Sequence, residues 1–361
     1  VSSDAREAAG KGVAVPVVLQ VLLGSVVALH CALIGAWDAG VTAQLDSRLE
    51  AIRRAGDPVR LADFNRLLPD PPPGRNAAPL FEQGGERFRD LDPDDPLREH
   101  LPYLGATIFA DPHELVAAPM RKAVQALLAR NADALALFRR AVALEECKFE
   151  FDFTHGLEVK TECFVAVVRA GRLFALEGIE QIECGKEDEA AESVRASLRC
   201  GLALYRQPTL FQHLGGTFCC EVALAALARL ASRGNPSPAA LLRLEETLRA
   251  TADQKWLERV LLGERAWGVS FFPHLLTGAG RQMAVQTLQM IEDWGYQVGT
   301  WRLRPPPEVL YALPGAYFKA VEVYSLDFWT ELLAASRRPH PGFFLARQRI
   351  ERQFDESVPR H

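Results

Sequence analysis

The run from Val13 to Trp37, VAVPVVLQVLLGSVVALHCALIGAW, contains no charged residue. A helix rises 1.5 Å per residue, so a run of this length can cross a hydrocarbon core about 30 Å thick. A core helix of a soluble protein usually keeps a polar side, and this run has none. We therefore predict a transmembrane anchor over residues 13–37, in contact with membrane lipid, after a short leader over residues 1–12.

A cleaved secretory signal is the alternative explanation for this run. The apolar core of such a signal spans about 7–15 residues and ends near a small-x-small cleavage site. Here the uninterrupted apolar stretch from Val17 to Ile34 is already longer than that. The nearest small-x-small sequence, Val41-Thr42-Ala43, lies well beyond its end. A retained anchor is therefore favoured.

The charges that flank the run say little about its orientation. Arg6 and Lys11 precede the run, and the segment behind it carries Arg48, Arg53, Arg54 and Arg60. The bias in Lys and Arg that orients a span is thus weak. A short leader before a long following domain nevertheless fits an anchor whose amino terminus stays inside and whose carboxy-terminal domain is exported.

Small residues recur every four positions within the span. Such small-xxx-small faces let two helices approach closely in a membrane. The sequence therefore predicts a helix-packing face, which would serve either a protein partner or a second copy of the chain. The other explanation is that glycine and alanine are simply common in spans. The positions are Gln20, Gly24, Ala28, Ala32 and Ala36.

Composition excludes some functions. The net charge of −5 comes without a clustered basic face, so no nucleic-acid partner is expected. None of the seven cysteines forms a CxxC pair, which argues against a zinc site. The sequence has no nucleotide-binding, metalloprotease or nucleophile motif, and we predict no cofactor. The cysteines are expected either as small buried hydrophobes or as disulfides, and both alternatives stay open.

Behind the anchor the patterns are helical, and the predicted fold class is all-α. Val41, Leu45, Leu49 and Ile52 fall at helical spacing, so the spanning helix should continue as a stalk until Gly56. Residues 38–118 are predicted as this stalk and a proline-rich wrap. Residues 119–361 are predicted as an α-helical domain.

Three local predictions concern where helices begin and end. Asp57-Pro58 has the pattern of an N-cap followed by a first-turn proline, and predicts the start of a short helix. The apolar periodicity over residues 124–144 predicts one unbroken helix. Pro273 is expected to break a helix that runs from Asp253 to Phe272.

The segment RLFALEGIEQIECGKEDEAAESVRASLRCGLAL, residues 172–204, resembles a tetratricopeptide-type helical hairpin. Gly178 and Ala190 occupy the small positions at which the two helices would cross, and Gly185 occupies the turn. Phe174 and Gln181 stand where tryptophan and tyrosine are usual, and no proline closes the unit. The resemblance covers this one hairpin, and implies a helical-hairpin domain.

More broadly, the chain resembles a family of uncharacterised bacterial proteins with an N-terminal anchor and an α-helical domain. The stretches that carry this resemblance are DPVRLADFNRLLPDPPPGRNAAPL, RNADALALFRRAVALEECKFEFDF, LLGERAWG and LLAASRRPHPGFFLARQRIE. The resemblance implies a fold and a location, and no reaction. We expect a single-pass protein of the bacterial inner membrane with its carboxy-terminal domain in the periplasm.

Two groups of polar residues are candidates for a metal-binding or catalytic site. Glu177, Glu180 and Glu183 share one helical face, which we expect to be solvated. Cys147, His155 and Cys163 flank an alternating segment, KFEFDFTHG, that predicts an extended stretch with one apolar face. If these three residues converged, they could supply a nucleophile and base or bind a metal. Packing, or a Cys147–Cys163 disulfide, are the alternatives.

Aromatic residues are dense towards the carboxy terminus. They predict either core packing or a groove for a peptide or ligand, because Trp and Tyr contribute strongly to interfaces. The groove residues would be Trp294, Tyr296, Trp301, Tyr311 and Tyr317.

The function expected from the sequence is a non-catalytic scaffold or accessory subunit of a membrane protein assembly, with at least one protein partner and homo-oligomerisation as an open alternative. Two other functions are an anchored hydrolase-like enzyme with its site near Cys147, His155 and Cys163, and a carrier of apolar ligands.

Overall fold

The computed structural model describes residues 14–68, 70–102, 111–149, 162–253, 255–275, 315–338 and 342–357. Within these ranges the side chains of residues 14–18, 162–163, 274–275 and 354–357 are outside the description. Every regular element in the described ranges is helical, and the β-type pairing they contain is one isolated bridge between Asn76 and Glu146. The all-α fold class is confirmed.

The α-helices are α1 Ala14–Arg54, α2 Phe64–Leu67, α3 Ala78–Arg87, α4 Ala118–Arg130, α5 Ala132–Ala143, α6 Glu162–Glu183, α7 Glu187–Tyr205, α8 Leu210–Arg233, α9 Pro238–Thr251, α10 Lys255–Leu275, α11 Gly315–Ser336 and α12 Gly342–Ser357. Short 3₁₀ turns cover Leu61–Asp63 and Arg98–His100. The chain divides into two compact units. Unit 1 comprises Val1–Val59, Gly268–Phe328 and Arg360–His361, and unit 2 comprises Arg60–Trp267 and Trp329–Pro359.

Unit 1 is organised around the second half of α1. The helix continues past the apolar run as predicted, and the chain leaves it at Gly56, where φ is 78°. Only glycine adopts such a positive φ without strain. Val41, Leu49 and Ile52 on α1 are buried, and the last two form a cluster with side chains from α10 and α11.

The centre of unit 2 is a layer of three helices, α6, α7 and α8, with α3, α4, α5 and α9 packed around it. The predicted hairpin of α6 and α7 is present. Gly185 forms its turn with φ of 70°, and a Cβ added at Gly178 would lie 3.4 Å from the Ala190 carbonyl oxygen. Small residues at this crossing therefore let the two backbones approach closely.

The helix predicted over residues 124–144 is wrong in one respect, because Asn131 divides it into α4 and α5. The Asn131 side chain is buried, accepts a hydrogen bond from the Arg89 amide, and donates to the Arg89 and Leu127 carbonyls. An asparagine that bonds to backbone groups in this way competes with the helix.

Two other boundaries differ from the predictions. Asp57-Pro58 does not begin a helix. The first helical residue after Gly56 is Leu61, and Arg60 is the N-cap of that turn. Pro273 lies inside the last turns of α10, which continues to Leu275. Pro273 has no N–H to donate to the carbonyl of Val269, so it removes one hydrogen bond of the helix.

Two helices in the described part of the chain are long and apolar enough to cross a membrane, Leu19–Arg54 within α1 and Leu210–Arg233, which is α8. They differ in burial. None of the apolar window of α1 is buried, whereas 39% of that of α8 is. Cys219, Val222 and Ala226 of α8 lie in the cores of unit 2, so this helix packs within the folded unit.

Candidate functional site

The most exposed apolar surface in the described residues is the first part of α1. Every side chain from Leu19 to Leu33 is exposed, with 58% of Leu22, 64% of Val26 and 62% of Leu29 accessible. The Ser25 hydroxyl donates to the Val21 carbonyl at 2.8 Å, so its polar group is satisfied within the helix itself. This segment therefore offers an apolar surface whose backbone is internally hydrogen-bonded, as a lipid environment requires.

The predicted packing face lies on this exposed segment. All five of its residues are exposed, and a Cβ added at Gly24 would meet no atom within 4 Å. Nothing else in the described part of the chain covers this face, so it is accessible to another helix. The residues are Gln20, Gly24, Ala28, Ala32 and Ala36.

Beyond the exposed part of α1, polar side chains of this helix pair with side chains of α11 within unit 1. Ile34 is the first partly covered residue, and Asp38 forms an ion pair with Lys319 of α11 at 2.9 Å. The Lys319 ammonium also donates to the Thr42 hydroxyl at 3.0 Å. Further along the helix, Arg48 forms two hydrogen bonds of 3.1 Å with Asp327.

The acidic face of α6 is not solvated, contrary to the prediction. The side chains of Glu177, Glu180 and Glu183 are only 13%, 16% and 3% exposed. Each of them binds an arginine from a different helix, and these are Arg139 of α5, Arg121 of α4 and Arg233 of α8. The three carboxylates therefore attach α6 to its neighbours, and the arginines are too distant in sequence for the helical spacing to reveal them.

The Glu180 site shows how such a pair is stabilised. Arg121 binds the carboxylate in a bidentate manner at 2.9–3.2 Å, and Gln125 donates to it at 2.7 Å. Burial raises the pKa of Glu180, but the hydrogen bonds from Arg121, Gln125 and Cys184 outweigh burial and lower the pKa from its ordinary value of 4.5. The ionised form is therefore the one that the fold stabilises.

Glu183 lies deepest of the three. Its carboxylate pairs with Arg233 and also with Arg229, at 3.5 Å, and the side chains of Glu183 and Arg229 are both 3% exposed. Arg229 in turn donates to the backbone carbonyls of Glu114 and Asp111. This network connects α6 and α8 to the segment that precedes α4.

A second buried polar group surrounds the turn between α7 and α8. Gln212 is fully buried and accepts hydrogen bonds from the Thr209 amide and hydroxyl in a capping box. The Thr-x-x-Gln pattern is readable in the sequence. The Gln212 Nε2, the Gln207 Oε1 and the His213 Nδ1 are buried, and none of them has a hydrogen-bond partner among the described residues. Burial also lowers the pKa of His213, whose ring stacks on Tyr205 at 4.4 Å.

The sulfur and imidazole groups of the alternative enzyme site are only partly described. Cys147 is buried in the main core of unit 2, and its carbonyl accepts a hydrogen bond from Gln207 at 2.9 Å. His155 and the side chain of Cys163 lie outside the described residues. In the described part of the chain, no group of three or more His, Cys, Asp or Glu residues could hold a metal ion.

The proposed aromatic groove is likewise only partly described. Tyr317 packs in unit 1 against a cluster formed by Phe272 and Phe318. The other four residues, Trp294, Tyr296, Trp301 and Tyr311, lie outside the described residues.

Cys31, Cys184, Cys200, Cys219 and Cys220 have free thiols in the described part of the chain. Cys147, Cys200 and Cys219 are buried, Cys220 is partly buried, and Cys31 and Cys184 are exposed. Burial raises the pKa of the Cys200 and Cys220 thiols, which keeps them protonated and unreactive. The expectation of cysteines as small buried hydrophobes is thus met for most of the described ones.

A scan against protein-family models, a search of curated proteins and a search of solved structures found no match to this chain. In the described residues, the protein is all-helical and has a long, exposed, apolar helix near its amino terminus.

Proposed function

We propose that the chain is a single-pass membrane protein whose helical body serves as a scaffold or accessory subunit of a membrane assembly. The observation that carries this proposal is the character of α1, which is apolar and exposed from Leu19 to Leu33 and then packs into unit 1 from Val41 onward. An apolar surface of this size is costly in water and favourable in lipid.

The same helix supports a retained anchor over a cleaved signal. The nearest small-x-small sequence, Val41-Thr42-Ala43, lies inside α1, where Val41 is only 7% exposed and the Thr42 hydroxyl binds Lys319. Cleavage there would separate the apolar segment from a helix that is folded on both sides of the cut.

Two features support a role in assembly. The small-residue face of the span is accessible to another helix, whether from a protein partner or from a second copy of the chain. Unit 2 also exposes large apolar side chains, notably 55% of Phe211, 57% of Leu214 and 66% of Leu242. We propose that the helical domain is periplasmic and that the membrane is the bacterial inner membrane.

Affinity capture of the full-length chain in mild detergent, followed by mass spectrometry, tests the assembly role. We expect a stoichiometric partner that is lost, with the fold intact, when Ala28 and Ala32 are changed to leucine on the packing face. Leu23→Ala on another side of the same helix is the control. Recovery of the wild-type chain as a lone monomer would contradict the scaffold role.

A further inference from the structure

Three helices of unit 1 pass the same level. Lys319 of α11 pairs with Asp38, and Asp327 pairs with Arg48, so α11 and α1 run parallel. A Cβ added at Gly268 of α10 would lie 3.8 Å from the Ser325 hydroxyl, and Phe272 packs on Phe318. The residue number rises along α10 from Gly268 to Phe272 while that of the partner on α11 falls, so these two helices are antiparallel.

These directions place residues of α10 and α11 along α1. Tyr317 of α11 lies two residues (about 3 Å) before Lys319, which places it near the level of Ala36. Phe271 of α10 packs against the same pair of phenylalanines as Tyr317, so it lies in the same region. This level is within one turn of Ile34, the residue at which α1 first becomes covered.

The side chains of α1 change from apolar to charged near this level as well. On one side, α1 is exposed from Leu19 to Leu33, and the helix has no charged residue from Ala14 to Ile34, about 32 Å, which matches the thickness of a hydrocarbon core. On the other side come the first ion pair, Asp38–Lys319, and the packed body of unit 1. Aromatic side chains lie between them: Trp37 is 43% exposed, and Phe271 and Tyr317 are partly exposed.

We propose, on the basis of the proposed membrane anchor, that the part of unit 1 around Phe271 of α10 and Tyr317 of α11 rests on the lipid headgroups. Trp and Tyr favour this layer because their rings are apolar and their polar atoms reach water. Tyr317 is then a lipid-contacting residue. Unit 1 is held at a fixed height above the membrane by its packing on α1.

A photoreactive amino acid tests this contact in the full-length chain. Benzoylphenylalanine replaces Tyr317, Val26 or Tyr324 in separate variants, which are reconstituted into vesicles of phosphatidylethanolamine and phosphatidylglycerol and irradiated. Tyr324 is the matched control, because it is a tyrosine of the same helix, 37% exposed and two turns (about 10 Å) farther from the proposed surface. Mass spectrometry then measures the yield of lipid adducts.

We expect lipid adducts at Val26 and Tyr317, and none above background at Tyr324. Adducts at Val26 without adducts at Tyr317, or equal yields at Tyr317 and Tyr324, would overturn the resting contact while leaving the anchor in place. A lack of adducts at Val26 would overturn the anchor itself. If the Tyr317 variant does not fold, the same replacement at Phe271 gives the same readout.

Discussion

At the scale of single residues, Glu183 is the clearest case of a side chain whose role depends on distant parts of the chain. It lies on the α6 face that was predicted to be solvated, yet it is 3% exposed and pairs with Arg229 and Arg233. A helical spacing of three shows that carboxylates share a face. It does not show what covers that face, because the arginines lie some fifty residues later in the sequence.

We predict that Glu183→Ala destabilises unit 2 by about 3 kcal/mol, because removing one member of a buried ion pair leaves its partner's charge in a desolvated site. Glu245→Ala is the matched control, since Glu245 pairs with Arg249 on the surface at 54% and 79% exposure. Its removal should cost roughly 0.5 kcal/mol or less. Urea denaturation followed by far-ultraviolet circular dichroism measures both, and equal losses would contradict the role of Glu183.

His213 gives a prediction about pH. Burial lowers its pKa below the ordinary value of 6.5, so the unfolded chain binds a proton more readily than the folded chain does. The neutral ring therefore contributes stability that is present above pH 6.5 and is lost as the pH falls through the lowered pKa.

The stability of His213→Gln should consequently fall less steeply than that of the wild type between about pH 6.5 and 5. Urea midpoints measured across this range test the difference. His100→Gln is the control, because it removes a histidine that is exposed on the surface. Identical slopes for wild type and His213→Gln would show that His213 does not contribute.

At the scale of elements, local patterns predicted what local residues determine. The α6–α7 hairpin followed from Gly178, Gly185 and Ala190, because a turn with positive φ and a close crossing each require a small residue. The break between α4 and α5 could not be predicted from the local pattern. It occurs at Asn131, whose side chain hydrogen-bonds to the backbone of Arg89, 42 residues away. Apolar periodicity carries no information about such a partner.

Gly263 of α10 tests a contact between elements. A Cβ at this position would overlap the carbonyl oxygen of Pro208, in the turn between α7 and α8, so α10 can cross that turn only with glycine there. We predict that Gly263→Ala destabilises unit 2 by about 2 kcal/mol or more, as overpacking does.

Gly40→Ala on α1 is the control for Gly263→Ala, because nothing lies within 4 Å of a Cβ added there. That substitution should be neutral or stabilising by up to about 1 kcal/mol, since alanine favours a helix. Thermal unfolding of both variants separates the two effects. A Gly263→Ala protein as stable as Gly40→Ala would mean that α10 does not cross the turn closely.

At the scale of the molecule, the long apolar helix was predictable, because such a helix is a property of one continuous segment. Its length and lack of charge are visible in the sequence, and the exposure of Leu22, Val26 and Leu29 agrees with them. The ion pairs between α1 and α11 were not predictable, because unit 1 combines α1 with residues 268–328. The Asp38–Lys319 pair, for example, joins positions 281 residues apart.

The central claim is that the first part of α1 lies in lipid, and two native cysteines test it directly. Cys31 and Cys184 are both exposed in the folded chain, but only Cys31 lies in the apolar segment. A water-soluble maleimide is added to opened membranes that contain the full-length chain, and peptide mass spectrometry locates the label. We expect Cys184 to be labelled, and Cys31 to remain unlabelled until detergent dissolves the bilayer. Labelling of Cys31 as fast as Cys184 in the intact bilayer would contradict the account.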